Sequence, residues 1–134
     1  MIGVLVVTHG SIGEALVSSA AQILGEAPRQ VATLSVWRQD DPDDLVLRAR
    51  ELLEALDAGD GVLVLTDIFG ATPGNVMSRL LQDGRIEGVS GASLPMLLRV
   101  LTGRNGSLAA AVRRAVSGGA EGVVHMNSDR CLDA

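Results

Sequence analysis

One histidine and one aspartate each stand just after a short apolar run, where a polar side chain can do chemistry. His9 follows residues 2–7, and Asp67 follows residues 62–66. Both runs are rich in β-branched residues and do not alternate with polar ones, which is typical of strands buried on both faces. Open α/β sheets bind ligands at the carboxyl ends of their strands. We therefore expect His9 and Asp67 at the ligand-binding edge of a sheet.

The pairing of an imidazole with a carboxylate predicts a nucleophile. In the doubly wound strand order 2-1-3-4, the strands before His9 and Asp67 are neighbours, so their side chains would face each other. A carboxylate that accepts one ring N–H fixes the tautomer and leaves the other ring nitrogen free to attack. Because Asp67 would be committed to the ring, we expect no metal site here.

The surroundings of this histidine predict that the group it attacks is an anion. Ser11 and Glu14 have the spacing of a capping box, and Thr72 precedes a proline, so helices are expected to begin at both places. Helix N-termini would present free N–H groups and a positive dipole end to the same crevice. Gly10 and Gly70 would let the backbone approach a ligand closely. A nucleophilic imidazole among amides suits a phosphoryl group held on nitrogen.

The elements that must position these residues alternate between strand and helix. Strands are predicted at residues 2–7, 31–36, 62–66, 86–90 and 122–126. Helices are predicted near residues 11–24, 41–56, 72–84, 93–101 and 107–116, with residues 127–134 as a C-terminal tail. This alternation implies parallel pairing through right-handed crossovers. The predicted fold is a single α/β domain over residues 1–134, with an open, mostly parallel central sheet and helices on both faces.

The composition of the 134 residues argues against several classes of function. Apolar residues make up 47% of the chain but aromatic residues only 1%, namely Trp37 and Phe69. Aromatic faces that could stack bases or flavins are therefore nearly absent, and the net charge of −5 disfavours nucleic acid and anionic membranes. All eleven basic residues are arginines, which excludes Schiff-base chemistry and a lysine-bearing phosphate loop.

Two further features concern the compartment. Cys131 is the one cysteine of the sequence and cannot form an internal disulfide, which fits a reducing compartment. The N-terminal apolar run has no basic segment before it and is too short for a signal peptide or a membrane span. We therefore expect a cytoplasmic protein.

Three motifs carry a resemblance to a known family. They read V-T-H-G-S-I-G-E-A-L around His9, D-I-F-G-A-T-P-G-N from Asp67, and V-S-G-A-S-L-P-M-L-L from Val89. Together they resemble the mannose-type IIA component (the fructose, mannose and sorbose family) of the bacterial phosphoenolpyruvate-dependent sugar phosphotransferase system. The resemblance covers essentially the whole chain.

The resemblance implies a phosphotransferase that works through a phosphohistidine and needs no cofactor. His9 would accept a phosphoryl group on Nε2 from the phosphocarrier HPr, Asp67 would hydrogen-bond Nδ1, and the group would pass to a IIB component for carbohydrate uptake or its regulation. The residues expected to hold the phosphoryl group are Gly10, Ser11, Phe69, Gly70, Ala71 and Thr72. The resemblance also implies a homodimer that exchanges its antiparallel last strand, here residues 122–126, and contact with a membrane only through a IIC and IID permease.

The chain departs from the family pattern in two places and in its length. Gly70-Ala71 stands where the family often has Gly-Gly, and Ser93 stands where it often has asparagine, which preserves the capping role. Many members continue through a linker into a IIB domain, whereas this sequence ends. Either a separate IIB protein accepts the phosphoryl group, or the role is regulatory.

Other interpretations remain open from the sequence. The first domain of the phosphotransfer subunit that serves dihydroxyacetone kinase is similar. A binding module for a small anion or a regulatory partner would use the same edge without turnover. A hydrolase built on His9, Asp67 and Ser11 is disfavoured because Ser11 is expected to cap a helix. Trp37 and Phe69 could dock HPr or simply cover loops, and His125 is expected to be a packed or interface residue.

Overall fold

Four parallel strands form the sheet in the computed structural model, which describes residues 1–129. The strands are β1 (Gly3–His9), β2 (Val31–Val36), β3 (Val62–Thr66) and β4 (Ile86–Ser90). The helices are α1 (Ile12–Leu24), α2 (Pro42–Leu56), α3 (Thr72–Ser78), α4 (Leu94–Leu101), α5 (Leu108–Glu121) and α6 (Met126–Asp129). The strand order is β2-β1-β3-β4, which confirms the predicted α/β fold and its 2-1-3-4 order.

The register of the sheet brings the carboxyl ends of all four strands level. His9 lies opposite Val36 on β2, Val7 lies opposite Thr66 on β3, and Thr66 lies opposite Ser90 on β4. Since the strands are parallel, the segments that follow them leave from one edge of the sheet. That edge is where the chemistry-bearing residues were expected.

Both faces of the sheet are covered at its centre, and this explains why β1 and β3 do not alternate. Leu5 and Val7 of β1 face one apolar cluster with α2 and α3, whereas Val4 and Val6 face a second cluster with α1, α4 and α5. All four side chains are at most 1% exposed. A strand buried on both faces needs an apolar residue at every position.

Three of the predicted helix starts have the expected side-chain caps. Asp41 accepts a hydrogen bond from the backbone N–H of Asp43 at 3.0 Å. Ser93 and Ser107 accept from residues three positions further on, at 3.3 and 3.1 Å. Each serine satisfies one of the N–H groups that the first turn of a helix leaves without a partner.

The predicted capping box at the start of α1 is wrong. Ser11 has ψ 11° instead of the extended value typical of a capping residue, and its side chain makes no cap hydrogen bond. Thr8 Oγ1 accepts from the Gly13 N–H at 2.7 Å instead, and Glu14 accepts from Ser35 Oγ at 3.2 Å. A buried threonine of β1 therefore does the work expected of Ser11.

Helix α3 also differs from its prediction. Thr72 is the first residue of the helix, and the preceding position makes no side-chain cap. The helix ends at Ser78 and does not reach residue 84, because Gln82 turns back to pair with Ile86. The two backbone hydrogen bonds between them measure 2.9 and 2.8 Å. This turn delivers the chain directly into β4.

Helix α5 continues to Glu121 through Gly118 and Gly119, where it was expected to stop near residue 116. A Cβ atom on Gly118 would lie 2.8 Å from the Cβ of Arg99, so this glycine lets α5 pack closely on α4. Here glycine serves close packing between helices and does not end one. None of the helices within residues 1–129 is long and apolar enough to cross a membrane.

The predicted last strand is absent from the described chain. Residues 123–125 are irregular, and Met126 begins the short helix α6. The prediction of an antiparallel strand at residues 122–126 is therefore wrong for the described chain. A strand exists only with a hydrogen-bonded neighbour, and no strand of residues 1–129 pairs with this segment. Val123 is 85% exposed. Of the expected tail, residues 127–129 are helical, and residues 130–134, including Cys131, lie outside the described residues.

Candidate functional site

His9 and Asp67 meet at the carboxyl edge of the sheet. His9 is the last residue of β1, and Asp67 immediately follows β3, the neighbouring strand. His9 Nδ1 lies 2.8 Å from Asp67 Oδ2, and the His9 backbone N–H donates to the same oxygen at 3.1 Å. The side chain of His9 is 49% exposed and that of Asp67 is 12% exposed. The contact expected between the two side chains is present.

The charge state of Asp67 determines which nitrogen of the ring carries the proton. Partial burial raises the pKa of Asp67, but hydrogen bonds from the His9 ring and the backbone outweigh burial and leave that pKa below its usual range. Because an ionised carboxylate can only accept, the proton of the neutral ring is on Nδ1. The lone pair is then on Nε2, the nitrogen that Asp67 does not hold.

A cavity of about 550 Å³ opens beside His9, and this volume is typical of a small-ligand site. It lies between the ends of β1 and β2 and the start of α3. Its walls are formed by His9, Val36, Trp37, Arg38, Asp40, Pro42 and Thr72. Of the residues expected to hold a phosphoryl group, Thr72 therefore shares this cavity with the histidine.

Gly10 connects the end of β1 to α1 in a conformation that favours glycine. Its φ is +49°, and its backbone N–H donates to the Val36 carbonyl at 2.9 Å. A Cβ on Gly10 would lie 3.3 Å from the indole ring of Trp37. The glycine thus lets the chain turn away from the sheet directly beneath Trp37, one residue after His9.

The remaining predicted residues are distributed around this edge. Phe69, 90% exposed, and Gly70, with φ +83°, line a second cavity of about 360 Å³ between α3 and the ends of β3 and β4. Ala71 is partly buried just before α3, and Ser11 is exposed before α1. The predicted set therefore lies at the carboxyl edge of the sheet but does not line one common cavity.

The segment after β2 is a part of the site that the sequence interpretation missed. Arg38 and Asp40 line the cavity beside His9, and neither residue was expected at the site. Asp40 also accepts from the Trp37 backbone N–H at 2.8 Å, which fixes the turn. The parallel register would have predicted that Arg38 and Asp40 lie near His9, since the end of β2 lies beside the end of β1.

Comparisons of the sequence with known proteins agree with this geometry. The family model described as "PTS system fructose IIA component" matches residues 3–117. The PTS system mannose-specific EIIAB component of Escherichia coli (strain K12) is 33% identical over 125 residues, which is 91% of this chain but 38% of that protein. The PTS system fructose-specific EIIA component of Bacillus subtilis (strain 168) is 32% identical over 103 residues, 76% of this chain and 70% of that protein.

Solved structures show the same fold. The phosphotransferase system component EIIA from Streptococcus agalactiae superposes with a TM-score of 0.85 at 26% identity, covering 96% of this chain and 99% of that one. The mannose/sorbose specific IIA subunit from Enterococcus faecalis has a TM-score of 0.81 at 21% identity, covering 92% of each chain, and shows the likeness of the fold alone. The family match over residues 3–117 shows that the chain belongs to the mannose/fructose-type IIA family of the sugar phosphotransferase system.

Proposed function

We propose that this protein is a phosphocarrier that receives a phosphoryl group on Nε2 of His9. The observation that carries the proposal is the 2.8 Å contact between His9 Nδ1 and Asp67 Oδ2, on a ring that is half exposed. The contact favours the tautomer whose lone pair is on Nε2, and the exposure lets a second protein bring its phosphoryl group within reach. Family membership supports the same role.

The transfer step requires no proton to leave the ring. The Nε2 lone pair attacks phosphorus of the phosphohistidine on HPr, a new N–P bond forms, and the N–P bond of the donor breaks. The donor nitrogen keeps the electron pair, while the positive charge that develops on the His9 ring is balanced by the Asp67 carboxylate. Transfer from His9 to a IIB component is the same step with the roles changed. Positioning and electrostatic stabilisation supply the catalysis.

The residues around the histidine are proposed to hold the phosphoryl oxygens. Thr72 contributes a hydroxyl group from the wall of the cavity next to His9. Ser11 and the loop of Phe69, Gly70 and Ala71 contribute backbone amides or exposed apolar surface for the docked partner. Gly10 contributes the turn that places α1 beside His9, since its own N–H is donated to the Val36 carbonyl. A IIB component as acceptor, a cytoplasmic location and a membrane contact only through a permease are proposed from the family role.

A homodimer is also proposed. Strand β4 is an edge of the sheet, and Val123, Val124 and Met126 are 85, 51 and 79% exposed. An edge strand and exposed apolar residues each favour pairing with another chain. In the dimer, the segment from Gly122 would reach the second copy. Sedimentation of the full chain, which should behave as a dimer, tests this, and a monomer at all protein concentrations would contradict it.

The central test is phosphorylation by phosphoenolpyruvate, Enzyme I and HPr. The wild-type chain should become labelled, and mass spectrometry should locate the phosphoryl group on His9. The variant His9→Ala should lose labelling, whereas His125→Ala, which removes the other, exposed histidine, should keep it. Labelling of His9→Ala at the wild-type level would reject the proposal.

The competing interpretations differ in what this experiment yields. A binding module for an anion would bind phospho-HPr without gaining a phosphoryl group. A subunit that serves dihydroxyacetone kinase would be labelled but would pass the group to that kinase and not to a IIB protein. A hydrolase would need Ser11 activated by His9; the serine does not cap α1 as expected, but the described residues show no hydrogen bond from it to the His9 ring.

A further inference from the structure

Arg104 is a buried cation at the opposite end of the sheet from His9. It lies in the loop between α4 and α5 and is 7% exposed. Its Nη1 donates to the carbonyl of Arg29 at 2.6 Å and to those of Ile2 and Gln30 at 3.4 Å. Its Nε is buried and has no hydrogen-bond partner within the described chain. The guanidinium is therefore only partly satisfied.

The charge of Arg104 is not balanced by a carboxylate. No ion pair within residues 1–129 includes Arg104 or Arg29. Burial, together with the charge of Arg29, lowers the pKa of Arg104. A buried charge is costly unless it is paired and hydrogen-bonded. Two uncompensated guanidinium groups thus create a local excess of positive charge in a chain whose net charge is −5.

Both arginines line one cavity, here called the arginine cavity. Its volume is about 380 Å³, and it is lined by Met1, Leu24, Glu26, Ala27, Pro28, Arg29, Leu101 and Arg104. A volume in this range is typical of small-molecule sites, which combine apolar walls with a few polar groups. The seven residues of β1, at about 3.3 Å each, separate this cavity from His9 by about 20 Å. It is a different site from the one that would carry the phosphoryl group.

We propose that the arginine cavity binds a small metabolite through a phosphate or carboxylate oxyanion. The planar guanidinium fork matches such oxyanions, often with two parallel hydrogen bonds. The anion would supply the counter-charge that Arg104 and Arg29 lack, and the apolar walls from Leu24, Pro28 and Leu101 would cover the rest of the ligand. Binding at this end would tie β1, the α1–β2 loop and the α4–α5 loop together. The site does not depend on the role proposed for His9.

Glu26 is the carboxylate that would neutralise the two arginines if the cavity binds no ligand. It lines the same cavity and is exposed, yet it forms no ion pair with either arginine in the part of the chain that the structure describes. If Glu26 swings inward in solution, it neutralises the cavity internally and no ligand is needed. The two accounts make opposite predictions for added anions.

The test is an NMR titration of the ¹⁵N-labelled protein with inorganic phosphate, acetate and, at matched ionic strength, chloride. Phosphate or acetate should shift the Arg104 Nε–H signal and the backbone amides of residues 26, 27, 29, 30 and 101–104 in a saturable way, and chloride should not. Comparison of phosphate with acetate shows which oxyanion the site prefers. Because each signal reports one residue, binding of phosphate beside His9 is observed separately.

Variants on exposed residues keep the test independent of folding. Arg29→Gln should weaken phosphate or acetate binding at least about tenfold, because it removes one charged hydrogen-bond donor. Arg48→Gln removes the same charge from the exposed surface of α2 and should leave the affinity within about twofold. Glu26→Gln should strengthen binding. Absence of a saturable shift in the wild-type chain, or equal weakening by Arg29→Gln and Arg48→Gln, would overturn the proposal.

Discussion

One oxygen of Asp67 accepts two hydrogen bonds from His9, from ring Nδ1 at 2.8 Å and from the backbone N–H at 3.1 Å. The other oxygen accepts from the Ile68 N–H at 3.1 Å. The Asp67 carboxylate is therefore held at both oxygens, and it fixes the His9 imidazole relative to the His9 backbone. A nucleophile held in this way loses little conformational freedom when a partner protein docks.

The variant Asp67→Asn should slow phosphoryl transfer without preventing it. An amide group cannot accept from both His9 donors with the strength of a carboxylate, and its NH₂ group favours the tautomer with the lone pair on Nδ1. Loss of a carboxylate that orients a histidine typically costs about 10- to 100-fold in metal sites, and we expect a loss of this order here. The measurement is the rate at which phospho-HPr labels the variant.

Asp43→Asn is the matched control for this experiment. Asp43 makes an exposed ion pair with Arg79 at 3.3 Å and does not line the cavity beside His9. Its replacement should leave the transfer rate unchanged, since exposed ion pairs contribute little. A wild-type rate for Asp67→Asn, or equal losses for the two variants, would contradict the orienting role of Asp67.

Gly10→Ala should destabilise the protein by about 1 to 2 kcal/mol, the usual cost of placing a residue with a Cβ in the left-handed region. The φ of Gly10 is +49°, and the added Cβ would also lie 3.3 Å from the Trp37 ring. Urea unfolding of the single variant measures the total cost. Adding Trp37→Ala should recover only the part of this loss in stability that comes from the contact with the indole ring. Wild-type stability for Gly10→Ala would show that the turn tolerates a side chain.

Features of the fold that depend on local pattern could be predicted from the sequence. Unalternating apolar runs marked β1 and β3 because burial on both faces demands them, and residues such as Asp41 and Ser93 marked helix starts because a cap acts within the first turn. The meeting of His9 with Asp67 followed from strand order, since adjacent parallel strands end side by side. The first two kinds of prediction needed no knowledge of distant contacts, whereas the meeting of His9 with Asp67 rested on the assumed strand order.

Features that depend on tertiary contacts could not be predicted in this way. Ser11 had the right spacing for a cap, but Thr8, held by β1, reaches the free N–H first. Gly118 was interpreted as a helix end because the local sequence does not show its close packing against α4, which lies in another part of the chain. Residues 122–126 have strand propensity, but a strand also needs a neighbour. Placing Arg38 in the wall of the cavity beside His9 required the register of β2 against β1, which the sequence alone does not give.

Asp57 should make the stability of the fold depend on acid pH. Its Oδ1 accepts from the Gly59 and Gly61 N–H groups at 2.8 and 3.2 Å, and its Oδ2 pairs with Arg85 at 2.9 Å. The Gly59 N–H, followed by the Gly61 N–H and the Arg85 charge, lowers the pKa of Asp57 in spite of the opposing effect of burial. Folding therefore favours the ionised carboxyl.

The sign of the effect follows from this direction. The stabilisation by Asp57 is complete above the unfolded-state pKa of about 3.9 and is lost as the pH falls through the lower pKa of the folded state. Asp57→Ala should be less stable than wild type by about 1 kcal/mol at neutral pH, a typical value for lost hydrogen bonds at a turn. Urea unfolding at neutral and at strongly acidic pH should show that the difference narrows in acid. A difference that is constant with pH would exclude the carboxylate as its source.

Two adjacent glycines of α5 should respond to alanine with opposite signs. Alanine in a helix interior is favoured over glycine by about 0.5 to 1 kcal/mol, so both variants gain that amount locally. At Gly118 the new Cβ would meet Arg99 Cβ at 2.8 Å and the Met96 Cα at 3.4 Å, atoms fixed to the backbone of α4. Overpacking of this kind costs about 1 to 3 kcal/mol, which exceeds the gain. At Gly119 the nearest atom is the Met96 Cε at 2.9 Å, the end of a flexible side chain, and the next is 4.0 Å away. Because Met96 can rotate aside, Gly119→Ala should be at least as stable as the wild type in urea unfolding. Gly118→Ala should be less stable than the wild type. Equal stabilities for the two variants would mean that α4 and α5 are not in close contact at Gly118.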